Sequence, residues 1–69
     1  MNLGIKSYIV NLIEEINTFS NIWYEIGYRG KNHTPVLIQD GISIVARGWK
    51  NIKDVVEIRY ALVVEKMFK

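Results

Sequence analysis

The amino-acid sequence predicts a small α+β domain, a helix followed by an antiparallel meander of strands, on three observations. Apolar residues recur at helical spacing through the first 20 positions, apolar and polar residues alternate from Ile22 to Arg29, and Asp40-Gly41 sits between two further β-branched runs. The first pattern lays one apolar stripe along a helix, the second gives a strand one apolar face, and the third is the turn chemistry of a two-residue hairpin.

Ile5, Tyr8, Ile9, Leu12, Ile13, Ile16 and Phe19 form the helical stripe, with Lys6, Ser7, Asn11, Glu14, Glu15 and Thr18 turned away from it, which predicts a helix over about residues 4–18. Ile22, Tyr24, Ile26 and Tyr28 then alternate with Trp23, Glu25, Gly27 and Arg29 in a first strand rich in aromatic and β-branched residues. Gly30-Lys31-Asn32-His33-Thr34-Pro35 is a loop by composition, and Val36 to Gln39 and Ile42 to Arg47 flank the hairpin turn as the second and third strands.

The last segment supports two readings. Val56, Ile58, Tyr60, Leu62 and Val64 alternate with Glu57, Arg59, Ala61, Val63 and Glu65, as in a fourth strand. Against that, Asn51-Ile52-Lys53-Asp54 is similar to an N-terminal capping box with Asp in place of Glu, and Ile52, Val55, Val56, Arg59, Val63 and Met67 run along one helical face. Residue pattern alone leaves the two evenly matched.

Composition narrows the function classes. With 69 residues the chain makes one domain over 1–69, and 49% hydrophobic residues supply a core. The absence of cysteine excludes a disulfide framework, a cysteine zinc site and a thiol nucleophile. No apolar run approaches the roughly 20 residues of a membrane span, and Glu14 and Glu15 interrupt the stretch a signal peptide would need, so a cytoplasmic location away from any membrane is expected. Net charge is only +2, but its distribution is uneven: Arg29, Lys31, Arg47, Lys50 and Lys53 stand against Asp40 alone in the middle of the chain, a local excess of +4. Positive charge gathered this way suits a polyanion, and equally an ordinary solvated basic face.

Several short stretches are similar to those of one known family. Ile9-Val10-Asn11-Leu12 is similar to the leucine–asparagine–glutamate–leucine run of its first helix, and Tyr24-Glu25 stands where its first strand opens with tyrosine–glutamate. Its first loop reads Gly-Pro-x-His-x-Pro-x-Phe, beside Gly30-Lys31-Asn32-His33-Thr34-Pro35-Val36-Leu37 here, and Asn51-Ile52-Lys53-Asp54-Val55 echoes the start of its second helix. The chain resembles the double-stranded-RNA-binding domain from about Ser7 to Met67. That resemblance implies α-β-β-β-α order, a three-stranded antiparallel sheet with two helices on one face, and so a helix for the last segment. Three departures stand out, the first being a stretch between Leu37 and Asn51 that is a few residues shorter than usual. The family's lysine pair at the second helix is reduced to Lys53 with Lys50 nearby, and its alanines are replaced by Val55, Ile58 and Val63.

The resemblance also implies a partner, duplex or structured RNA, and three contact regions. Ser7, Asn11 and Glu14 on the first helix would meet 2′-hydroxyls, Lys31, Asn32 and His33 would enter a second minor groove, and Lys50, Asn51 and Lys53 would clamp phosphates at a helix start. No metal-ligand cluster and no cofactor motif accompanies them, so binding rather than catalysis is expected. Behind that stands an RNA-cleaving reading, with His33 as general base, because Gly30-Lys31-Asn32-His33 shares its glycine and last histidine with HicA-type toxins. A different class of function rests on the two tryptophans. Trp23 falls on the strand face opposite Tyr24, and Trp49 follows Gly48 at a loop position, so a protein partner or a homodimer could use them, with core-edge packing the commoner fate for Trp49.

Overall fold

The computed structural model describes residues 3–68. The order is α1 (Leu3–Phe19), β1 (Tyr24–Arg29), β2 (Thr34–Gln39), β3 (Ser43–Arg47) and α2 (Trp49–Met67). The three strands form one antiparallel sheet in the order β1-β2-β3, as expected, and the last segment is helical.

Strand alternation decides what lies on each face. Ile26 pairs with Leu37 and Leu37 with Ala46, and these side chains share the face that the helices cover. Ile9, Ile13 and Ile16 of α1, Ile52 and Val56 of α2, and Tyr24 and Leu37 of the sheet make the core, each with at most 6% of its surface exposed. A fully buried side chain of this size contributes about 1.5–3 kcal/mol, so these few residues carry most of the stability of so short a chain.

The two helices run parallel, both starting at the end of the sheet where β1 and β3 finish. Tyr8 of α1 meets Glu57 of α2, Glu15 meets Tyr60 one to two turns on, and Phe19 and Met67 line one groove at the far end. Local chemistry fixes the joints. Ser20 Oγ donates to Ile16 O (2.7 Å) and accepts from Ile22 N (3.2 Å), which ends α1. The Asn17 amide then pairs with both backbone groups of Tyr24 at 2.8 and 2.7 Å, as a neighbouring strand would. The strand therefore begins at Tyr24, two residues later than the alternation from Ile22 predicts.

Asp40 (φ 54) and Gly41 (φ 72) are both left-handed, and Ile42 N donates to Gln39 O at 3.1 Å, so the hairpin turn is the two-residue one that Asp-Gly favours. A bulge follows on β3: Leu37 faces Ala46 but Ile38 faces Ile44, leaving Val45 as the extra residue.

The expected cap of α2 is corrected. The helix starts at Trp49, with Gly48 at the N-cap position (φ 82) and no side-chain cap. Asn51 sits inside the first turn, and its Nδ2 reaches back 2.9 Å to Arg47 O. Gly48 takes the cap because its backbone must turn through a left-handed conformation while its N–H bonds Pro35 O at 2.8 Å.

Candidate nucleic-acid interface

The topology collects cations at one end of the molecule. β1 ends at Arg29, the loop carries Lys31 and His33, β3 ends at Arg47, and α2 opens with Lys50 and Lys53. Arg47 pairs with Val36, and Gly48 is bonded to Pro35, which ties the end of β3 to the start of β2 beside the loop. Lys6 belongs to this end as well. Its Nζ lies 5.9 Å from the centre of the Tyr28 ring, within cation–π range.

Because the helices are parallel, their positive N-terminal ends also point the same way, so two helix dipoles reinforce the side-chain charge. Asp54 and Glu57 are the carboxylates that α2 contributes near its start. Glu14, Glu15, Glu25 and Asp40 lie further along the helices and strands, toward the opposite end.

The residues offered from sequence take the following places. Ser7, Asn11 and Glu14, at spacings of four and three, form an exposed stripe on the side of α1 facing away from the sheet. Lys31, Asn32 and His33 are exposed in the loop, where His33 N donates to Gly30 O at 3.2 Å and His33 itself is left-handed (φ 50). Lys50 and Asn51 are exposed, while Lys53 is half-buried in an ion pair with Glu57 (3.0 Å). All nine are exposed or half-buried, divided between α1, the β1–β2 loop and the first turns of α2.

Glu57 is a residue sequence reasoning missed. Its carboxylate accepts from Tyr8 Oη (2.6 Å) as well as from Lys53. The bond from Tyr8, and then that from Lys53, lowers the Glu57 pKa below the ordinary glutamate value. Conversely, the bond to Glu57 raises the pKa of the Tyr8 hydroxyl and of the Lys53 ammonium. Lys53 is therefore more firmly protonated and already partnered. The Lys53–Glu57 spacing of four residues signals such a pair in a helix, whereas nothing local signals Tyr8.

The tryptophans separate. Trp49 is half-buried against the core, and Trp23 is 56% exposed on the sheet face away from the helices. A groove of about 650 Å³ opens between the far ends of α1 and α2, with Arg59 and Lys66 in its wall. No group of three His, Cys, Asp or Glu residues suited to a metal occurs among the described residues, and none of the described helices is long and apolar enough to cross a membrane.

No family model, no curated protein and no solved structure matches this chain.

Proposed function

We propose that the chain binds duplex or structured RNA through the outer surface of its helix layer and the β1–β2 loop, as a module of the double-stranded-RNA-binding kind. One observation carries the reading: the parallel helices bring both N-termini, the loop and the end of β3 to one end, and Lys6, Arg29, Lys31, Arg47, Lys50 and Lys53 collect there. Duplex RNA presents a shallow minor groove lined by 2′-hydroxyls and phosphates that border a deep major groove. Ser7 and Asn11 offer donors and acceptors to the first, Lys31 and His33 to a second minor groove, and Lys50 offers a free cation to the phosphates between. Lys53 contributes less, since Glu57 holds it.

An electrophoretic shift with a duplex RNA at low salt tests this. Binding at micromolar protein that weakens steeply with salt is expected, because each neutralised phosphate releases counterions. No shift at micromolar protein would contradict the reading.

A second reading, a protein-interaction module, is favoured by one observation: Trp23 is more than half exposed on a sheet face that also carries Ile38 and Ile44. Exposed apolar patches of this kind mark contact surfaces.

A further inference from the structure

Among the described residues, no helix or strand packs on the second face of the sheet. Trp23, Glu25, Gly27 and Arg29 of the first strand segment lie on it, beside Ile38 of β2 and Ile44 and Arg47 of β3, with Val36 fully buried among them. Ile42, at the hairpin, adds a side chain that is 85% exposed. The chain exposes 4922 Å² in all, about a tenth more than the roughly 4,450 Å² of an ordinary folded monomer of 8.0 kDa. Trp23 and Ile44 on this face contribute to that exposure, as do Ile58 and Leu62 of α2.

The charges on this face are ordered along the strands. Glu25 lies in the row with Ile38 and Ile44, toward the hairpin, and the arginines lie toward the opposite end. Arg29 also folds back along the strand. Its Nη1 lies 3.3 Å from where a Cβ on Gly27 would stand, and it donates to Tyr28 O at 3.1 Å. The guanidinium therefore covers Gly27, one row from Glu25.

We infer that this face pairs with the same face of a second copy of the chain, antiparallel, about a two-fold axis that crosses the strands between the Glu25–Ile38–Ile44 row and the Gly27–Val36–Arg47 row. That rotation exchanges the two rows. The Arg29 guanidinium of the second copy then lies opposite Glu25, twice by symmetry, and Ile38 faces the row of Val36, whose own side chain is already fully buried. Trp23 meets the Arg29 stem of the second copy. On β1 the face is thus complementary to itself in charge, as an isologous dimer requires, while on β3 Arg47 comes opposite Ile44 of the second copy. The alternative two-fold, along the strands, would set arginine against arginine.

Size sets the strength. Three strands of five or six residues span roughly 14 by 18 Å, well below the ~800 Å² per partner of a standard interface. The dimer is accordingly weak; it covers Arg29 and Arg47 of the basic end and leaves Ser7, Asn11, Lys31, His33 and Lys50 open. The inference stands independently of the RNA reading.

Sedimentation equilibrium of the full chain from about 10 µM to 1 mM, the range where so small an interface operates, reads the association directly. The mass is expected to climb from 8.0 kDa toward twice that value. Glu25→Arg and Arg29→Glu, each at an exposed position, should each weaken dimerisation by about tenfold or more through like-charge contact. The double variant E25R/R29E should restore it, with circular dichroism confirming that all three remain folded. A monomer at every concentration, single variants that associate as well as the wild type, or a double variant no better than the singles would each overturn the inference.

Discussion

The Tyr8 hydroxyl donates a 2.6 Å hydrogen bond to Glu57 Oε2, while Lys53 Nζ lies 3.0 Å from Oε1 of the same carboxylate. Tyr8 and Glu57 are 49 residues apart, so this contact, rather than any local one, locks the early turns of the two helices together beside the basic end. It also spends one of the available cations on the protein itself.

A pH dependence follows, with its sign fixed by the directions of the shifts. Glu57 is lowered in the folded state, so its contribution is complete above the unfolded glutamate value of about 4.3 and is lost as pH falls through the lower folded value. Tyr8 and Lys53 are raised, so theirs is complete below the unfolded values of about 10 and is lost as pH rises through the folded ones. Denaturant midpoints of wild type and Glu57→Gln should differ most between about pH 5 and 9 and converge at the acid end. An undiminished difference in acid would show that the carboxylate charge is not what matters.

Releasing Lys53 should strengthen RNA binding. Glu57→Gln removes an anion from the proposed surface and frees the ammonium that Glu57 holds. Affinity for a duplex RNA at low salt is expected to rise several-fold, with a salt slope steeper by about one phosphate contact. Lys50→Ala should weaken binding more than Lys53→Ala does in the wild-type background. Equal losses would mean that the Lys53–Glu57 pair opens on binding.

His33 gives a sharper separation, because it is held at φ 50, where an L side chain is strained. His33→Gly removes the imidazole and the strain together. Stability should rise by up to about 1 kcal/mol, while RNA affinity should fall several-fold through the loss of hydrogen bonds worth about 0.5–1.5 kcal/mol each. RNA should remain intact with either protein. Fragments from the wild type alone would favour cleavage.

Much of the fold was legible because its signals are local. Ile9, Ile13 and Ile16 are buried as their spacing predicts, and Asp40-Gly41 makes the turn that its chemistry favours. The helix–strand ambiguity of the last segment has a physical cause. α2 carries more apolar residues than it buries: Ile52 and Val56 are fully enclosed, while Ile58 is 62% exposed and Leu62 45%. That surplus is what makes an alternating pattern readable beside the helical one. The start of α2 was misread at Asn51 because the cap depends on the backbone turn at Gly48 and its bond to Pro35, which are tertiary facts. Lys6 escaped notice at the basic end for a similar reason. It sits in an acidic stretch of sequence and joins the other cations only because the helices run parallel.

Tyr24 offers a test of the core. Its side chain is 1% exposed, and its hydroxyl has no hydrogen-bond partner among the described residues. An unpaired buried hydroxyl carries a desolvation cost, so Tyr24→Phe should leave stability unchanged or raise it by about 1 kcal/mol. A loss of more than that in chemical denaturation would reveal a partner for the hydroxyl.

The central claim, that the basic end and the outer surface of the helix layer meet RNA, is tested most directly by titrating the ¹⁵N-labelled chain with a short RNA duplex and following each backbone amide by NMR. The account predicts that shifts concentrate at Ser7, Asn11, Lys31 to His33 and Lys50 to Lys53, and fade as salt rises, while Trp23, Glu25 and Ile44 on the open sheet face stay put. Shifts confined to that open face or to the Arg59–Lys66 groove, or no shifts at all, would contradict it.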